Sequence, residues 1–460
     1  MGNWHSWLAR FLHTEEVTGS NPVLPTLKLK DLLNILFKNI RIVSPADNLK
    51  GKFDLSIRNG FIEYIEIPGN NSAKDYDEII NGEYLTAVPG FYDMHVHFRD
   101  PGQTEKEDIE SGVLSAANGG FTGVLCMPNT KPPIDNKKII TYILKKAEDM
   151  IVDVHVSACA SKNREGNEIA NLKELHNAGA LAFTDDGSPL LNTSVLSDTL
   201  KYSAEHAIPF LQHAENYKLS GKGVVHKGKV SKELQIEGIP YESETLTVKN
   251  DIELANKIDG SKYHVQHISC GDTVDLIRTA RINNKNISCE ACPHHFILTD
   301  EIVKQEGSNA KMNPPLREKT DIDKILAGIK DDTIQVICTD HAPHTSAEKA
   351  KGISNAPFGI VGLESCIGLS YTYLVEKDII SFESLIKKMS DNPRRILNLP
   401  RISVGIGEKA NLTILETNLD WVINTNKFKS KSKNSPFNGF QVKCKPFGIY
   451  NNNKFFKSQL

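Results

Sequence analysis

The chain has 460 residues, 39% hydrophobic and 24% charged, a composition typical of a globular protein long enough for more than one folded unit. A formal net charge of −3 gives no electrostatic basis for binding nucleic acid or an acidic membrane. No apolar run approaches the roughly 18–20 residues that span a bilayer, and the first residues, which include Trp4 and Trp7, lack an apolar stretch followed by a small-residue cleavage site, so a cytoplasmic protein is expected.

Residues 1–33 show no periodicity and read as a non-native or disordered extension. Gly19-Ser20-Asn21-Pro22 is the peptide that translation of a tRNA arm would produce. An upstream start read through a tRNA gene, with the true start near Leu33, would explain it. Strand-like runs follow at 35–43, 53–58 and 61–67. They are separated by Ser44-Pro45-Ala46-Asp47 and by Asn59-Gly60, and the last is closed by Pro68-Gly69-Asn70-Asn71. Asn59-Gly60 between two alternating runs predicts a hairpin. Similar runs return at 412–415, 441–444 and 448–450. The two ends, 34–84 and 400–460, are therefore expected to build one composite β domain, a small sandwich.

Between them, residues 85–399 alternate in character. Buried strand candidates lie at 84–88, 122–127, 152–158, 180–184, 209–212, 263–266, 286–290 and 334–339, most followed by a helical pattern such as 108–118, closed by Gly119-Gly120. Eight such units over about 300 residues predict an α/β fold, a (β/α)8 TIM barrel. A doubly wound open sheet is the alternative, but no GxGxxG or GxxxxGK[ST] motif supports nucleotide binding.

The eight cysteines (Cys126, Cys159, Cys270, Cys289, Cys292, Cys338, Cys366 and Cys444) suit buried thiols in a reducing compartment, several lying in or beside apolar runs. Cys289 and Cys292 have the spacing of half a zinc knuckle or a redox pair, but no second CxxC partners them.

After the first strand candidate comes Asp93-Met94-His95-Val96-His97-Phe98-Arg99. The two-residue spacing puts both imidazoles on one face of an extended segment. Such pairs also occur on solvated strands. Later candidates run into Met127-Pro128-Asn129-Thr130, Thr184-Asp185-Asp186-Gly187, His213-Ala214-Glu215-Asn216, His267-Ile268-Ser269 and Asp340-His341-Ala342-Pro343-His344. Any one of these residues alone is more readily a satisfied structural His or a helix-capping Asp. Four His and two Asp together, all at C-terminal strand ends, mark the catalytic face of a barrel and a hydrolytic metal site. Imidazole and carboxylate donors without a thiolate suit zinc, with manganese or iron as alternatives. Such an ion lowers the pKa of bound water and polarises an amide carbonyl, and an Asp at the last strand end is placed to move the proton.

The string Gly90-Phe91-Tyr92-Asp93-Met94-His95-Val96-His97-Phe98-Arg99-Asp100-Pro101-Gly102 resembles type I bacterial dihydroorotases of the cyclic amidohydrolase superfamily. The same family is resembled by Met127-Pro128-Asn129-Thr130, Phe183-Thr184-Asp185-Asp186-Gly187, Lys311-Met312-Asn313-Pro314-Pro315-Leu316-Arg317 and Thr339-Asp340-His341-Ala342-Pro343-His344. The tail Lys427-Phe428-Lys429-Ser430-Lys431-Ser432-Lys433-Asn434 also resembles it, and the likeness runs from about Ile35 to Tyr450.

The resemblance implies reversible closure of N-carbamoyl-L-aspartate to L-dihydroorotate in pyrimidine synthesis, with one or two Zn2+ per chain. His95 and His97 would hold one ion, and His213 and His267 the second. Asp186 would bind or bridge where many relatives carry a carboxylated lysine. Asp340 would be both ligand and general acid/base. His97, Arg99, Asn129, Asn313, His344 and the backbone at Phe358 and Gly359 would hold substrate. Asp186 is preferred to Asp185 because it lies 27 residues before His213. The polar segment 345–357 reads as a loop that closes over substrate. One rival is a hydantoinase- or allantoinase-like cyclic amidase, against which 181–187 contains no lysine. Another is a non-catalytic scaffold subunit, which would have lost metal ligands. A homodimer or a complex with aspartate carbamoyltransferase is the partner expectation.

Overall fold

The computed structural model describes residues 33–69 and 75–460, so the extension expected at 1–33 lies, apart from Leu33, outside the described residues. Strands β1 (Ile35–Ser44), β2 (Leu49–Arg58) and β3 (Phe61–Glu66) form an antiparallel meander. The turn between β2 and β3 is the predicted one. Asn59 (φ 51°) and Gly60 (φ 84°) both take positive φ, which the two-residue turn matching strand twist requires. Strands β4 (Glu78–Asn81) and β5 (Thr86–Pro89) then run parallel to β1.

The chain next enters the barrel. Its strands are β6 (Phe91–Val96), β7 (Phe121–Cys126), β8 (Asp153–Ala158), β9 (Ala180–Phe183) and β10 (Phe210–Gln212). A two-stranded excursion, β11 (Val225–His226) and β12 (Gly238–Ile239), precedes β13 (Tyr263–Val265), β14 (Ile287–Ala291) and β15 (Val336–Ile337). The eight barrel strands pair in parallel in chain order. Closure comes from a parallel bridge between Val96 and His341, with the His97 N–H donating to His341 O at 2.9 Å. Asp93 ties the first strand to the last, its Oδ1 accepting from His95 N at 3.0 Å and Thr339 N at 3.3 Å. Tyr92, Met94, Leu125, Met127, Leu211 and Val336 pack in one buried cluster.

Helices cover the outside, and local signals start and stop them. Ile109–Asn118 begins at Asp108, whose carboxylate accepts from Ser111 N at 2.8 Å while Ser111 Oγ accepts from Asp108 N at 3.1 Å, a reciprocal cap. Gly119 follows its last turn, as predicted. No described helix is long and apolar enough to cross a membrane.

After the barrel, β16 (Leu412–Val422), β17 (Gln441–Asn451) and β18 (Lys454–Lys457) rejoin the first sheet through β5, giving the order β18-β17-β16-β5-β1-β2-β3, with β4 also beside β1. The sheet curls over its own core. Phe37 on β1 meets Phe455 on β18 edge-on at 5.9 Å, and Ile62, Leu85, Ile414 and Tyr450 fill the same core.

One expectation is corrected here. The run 84–88 reads by sequence as the first barrel strand, yet β5 belongs to the terminal sheet and the barrel opens with β6. Ala87 registers against Ile42 and Ile414 and packs in that sheet's core. A short, fully buried run carries no periodicity that says which sheet it joins. As a result His95 lies inside the first barrel strand and His97 just beyond it.

Candidate active site

His95, His97, Asp186, His213, His267 and Asp340 lie on or just beyond C-terminal barrel strand ends, and the fold brings all six together in the interior. Hydrogen bonds decide which nitrogen of each ring faces the others. His95 Nδ1–H donates to Glu290 Oε1 at 2.6 Å, which leaves the Nε2 lone pair 3.4 Å from Asp186 Oδ1. His97 Nδ1–H donates to Asn129 Oδ1 at 2.8 Å, and its Nε2 lies 2.9 Å from Asp340 Oδ1 and 3.5 Å from Asp186 Oδ2. On the other side, His213 Nδ1 and His267 Nε2 are 2.9 Å apart, and 3.9 and 3.7 Å from Asp186 Oδ1. Asp186 thus stands between two imidazole pairs. The donors of His95, His97 and Asp186, and those of Asp186, His213 and His267, each lie within 4.8 Å of one another.

These donors fit a cation. His95 Nε2 and Asp186 Oδ1 are buried with no hydrogen-bond partner among the described residues. Lone pairs that converge in a dry interior are costly unless a positive charge lies among them. Burial would raise the Asp186 carboxyl, but the surrounding imidazoles of His95, His267 and His97 outweigh it and hold the group well below its usual range. Asp340 behaves alike, with the neighbouring His97 and His95 rings overriding burial. For His97 burial prevails and favours the neutral ring. The backbone is strained here too: His267 (φ 31°) and Asp340 (φ 48°) sit in the left-handed region, at a cost of about 1–3 kcal/mol each.

Around this cluster, Arg99 is buried, and burial brings its guanidinium down to about 10, still a cation at neutral pH. Its Nε donates to Pro343 O at 3.3 Å, and its Nη2 lies 3.5 Å from His344 Nε2. His344 is pushed to about 3 by burial and then by Arg99, so its ring is neutral, and Nε2 donates to Phe358 O at 2.8 Å. Asn313 Nδ2 donates to Glu215 Oε2 at 2.8 Å and lies 3.4 Å from His213 Nε2. Gly359 (φ 123°) has no room for a side chain, since a Cβ would stand 2.6 Å from that of Ala342. Its N–H already donates to Lys311 O at 2.9 Å.

A family model described as dihydro-orotase-like matches residues 85–273. The chain is 40% identical over 409 residues to the dihydroorotase of Acetivibrio thermocellus, covering 89% of this chain and 95% of that one. It is 42% identical over 405 residues to the dihydroorotase of Clostridioides difficile, covering 88% and 95%. The chain belongs to the dihydroorotase family. It is a cyclic amide hydrolase of the amidohydrolase superfamily. Among solved structures, the L-hydantoinase from Arthrobacter aurescens superposes with a TM-score of 0.81 at 22% identity, over 93% of this chain and 97% of that one, a likeness of fold.

Several neighbours of this cluster carry no role that the sequence alone assigns. Glu290 backs His95, Glu215 Oε2 lies 3.3 Å from His213 Nε2, and Asn434 Oδ1 accepts from His344 N at 3.1 Å. Glu290 and Glu215 could have been found as carboxylates at strand ends. Asn434 carries no such local signal, because its partner is 90 residues away. The neighbouring Asp185 turns outward, its carboxylate accepting from Ala160 N at 2.9 Å, Ser161 N at 3.1 Å and the Ser161 hydroxyl.

Proposed function

We propose that this chain catalyses the reversible closure of N-carbamoyl-L-aspartate to L-dihydroorotate in cytoplasmic pyrimidine synthesis. His95, His97, Asp186, His213, His267 and Asp340 would hold one or two zinc ions. The observation that carries the reading is the convergence of buried nitrogen and oxygen donors on Asp186, close to the buried Arg99, in a chain of this family. Bound zinc supplies a Lewis acid and makes hydroxide available near neutral pH.

The chain's own residues do the rest. Asp340, kept ionised, takes the proton of the attacking water in ring opening and returns it to the departing ring nitrogen; closure runs the same path backwards. Arg99 offers a planar fork to the substrate carboxylate. Asn129 commits its oxygen to His97 and Asn313 commits its amide to Glu215, which leaves an amide N–H on Asn129 and a carbonyl on Asn313 for the ring amides. A homodimer or a complex with aspartate carbamoyltransferase belongs to the same proposal and is read by sedimentation with and without that enzyme.

The test combines elemental analysis with dihydroorotate absorbance on one sample. Zinc at one to two ions per chain with ring opening at alkaline pH supports the reading. Asp340→Ala should then lose at least about a hundredfold in turnover with an unchanged circular dichroism spectrum. Bound metal with turnover of a hydantoin but not of dihydroorotate would overturn it.

A further inference from the structure

The CxxC spacing does not bring Cys289 and Cys292 together, because the Cys289 thiol lies in β14 and donates to Thr333 O at 3.2 Å. Cys292 turns instead to Cys338, with their sulfurs 3.4 Å apart. Strand register explains the meeting. Glu290 pairs with Val336 and Ala291 with Ile337 in the parallel ladder of β14 and β15, so the next residues on each strand fall side by side. Pro293 then opens a short helix, Pro293–Ile297, that brings two imidazoles to the same place. Donor atoms of Cys292, His294 and His295 all lie within 4.8 Å of one another. Relative exposures are 0% for both cysteines, 1% for His294 and 3% for His295.

A purely structural packing role leaves two atoms unexplained. His295 Nε2 donates to Pro314 O at 3.0 Å, so Nδ1 keeps its lone pair, and that Nδ1 has no partner among the described residues. His294 Nε2 has none either. Burial favours the neutral, metal-binding form of both rings, taking His295 to about 4 against the opposing Pro314 hydrogen bond and His294 well below its usual value. Two orphaned imidazole nitrogens grouped with the Cys292 thiol, which a second thiol faces, are the donor types of a structural zinc site.

We propose that Cys292, Cys338, His294 and His295 form a second, thiophilic metal site beside the proposed catalytic centre, taking a borderline divalent cation such as zinc. Three of the four donors lie within 4.8 Å of one another, and the Cys338 sulfur stands 3.4 Å from that of Cys292, so the tetrahedron closes when the Cys338 thiol turns toward the imidazoles. Loading expels the two thiol protons to solvent. Cys338 also approaches His95 and Glu290, but His95 Nδ1 is already committed to Glu290, so that grouping offers no free imidazole toward the thiol. The site would clamp the ends of β14 and β15, which carry Glu290 and lead into Asp340. It does not depend on the identity of the substrate.

The two centres differ in one spectroscopic respect: the proposed catalytic donors include no sulfur. The full chain, equilibrated with zinc and desalted, is measured by zinc X-ray absorption. The expected spectrum holds a sulfur shell at about 2.3 Å beside the nitrogen/oxygen shell. Cys292→Ser and Cys338→Ser should each lose the sulfur shell and one zinc per chain while keeping the nitrogen/oxygen shell, and Cys289→Ser should change neither. A wild-type spectrum without sulfur overturns the site, and this measurement needs no variant to fold. A sulfur shell that persists in both serine variants overturns it as well. Failure of the catalytic reading shows separately, as a missing nitrogen/oxygen shell or absent dihydroorotate turnover.

Discussion

Glu290 Oε1 accepts from His95 Nδ1 at 2.6 Å and from the His267 backbone N–H at 3.3 Å, while Oε2 lies 3.3 Å from His264 Nε2. One carboxylate therefore sets the tautomer of a donor in one imidazole pair and steadies the strained backbone of a donor in the other. Burial would raise its pKa, but the His95 and His264 rings bonded to it outweigh burial and keep the group ionised. Glu290→Gln retains the shape and removes the charge. The expected outcome is metal binding weakened about 10–100-fold in competition with a chelator, at unchanged thermal stability of the metal-free chain. At this scale the sequence marked the six residues that converge, because each sits at or near a strand end. It could not mark Glu290 as a partner of His95, because 195 residues separate them.

Among the elements, the loop after β13 and the segment carrying Asn313 are pinned by a buried ion pair. Glu244, on the helix Glu242–Ala255, accepts from Cys270 N at 3.0 Å and Ser269 N at 3.3 Å, and Arg317 Nη2 lies 3.5 Å from its Oε2. Arg317 Nε also donates to Ser269 Oγ at 2.8 Å. Glu244→Gln leaves Arg317 without its charge partner and should cost about 3 kcal/mol in denaturant unfolding near neutral pH. Burial raises the Glu244 pKa, Arg317 and the Ser269 hydrogen bond lower it further, and the net shift is downward. A depressed acid contributes stability above its unfolded value of 4.5 and loses it as pH falls through the folded one. The variant should therefore show a shallower loss of stability below about pH 4.5 than the parent chain. The Asn59-Gly60 hairpin and the Asp108 cap were legible because their partners lie within a few residues. The destination of β5 was not, because a buried run of four residues fits either sheet.

For the whole molecule, the test lies in the reaction it would balance. N-carbamoyl-L-aspartate carries two carboxylates and dihydroorotate one, so closure takes up a proton. The ratio of ring to open form should fall about tenfold for each unit of rising pH near neutrality, whatever the enzyme concentration. Chromatography of equilibrated mixtures reads it, and a ratio independent of pH would exclude this reaction. Asp93, bonded to both His95 N and Thr339 N, and the Val96–His341 bridge join the first barrel strand to the last, so the donors on those strands meet only when the barrel closes.

By itself the sequence determined the alternation of strands and helices, the composite of the two chain ends, the His95–His97 spacing and the recurrence of His and Asp at strand ends. These are local periodicities and repeated placements, which a chain carries before it folds. Only the tertiary structure decided that Thr86–Pro89 joins the terminal sheet and that Cys292 meets Cys338 rather than Cys289. Each of those outcomes depends on the register between strands far apart in the chain, and no local spacing encodes it.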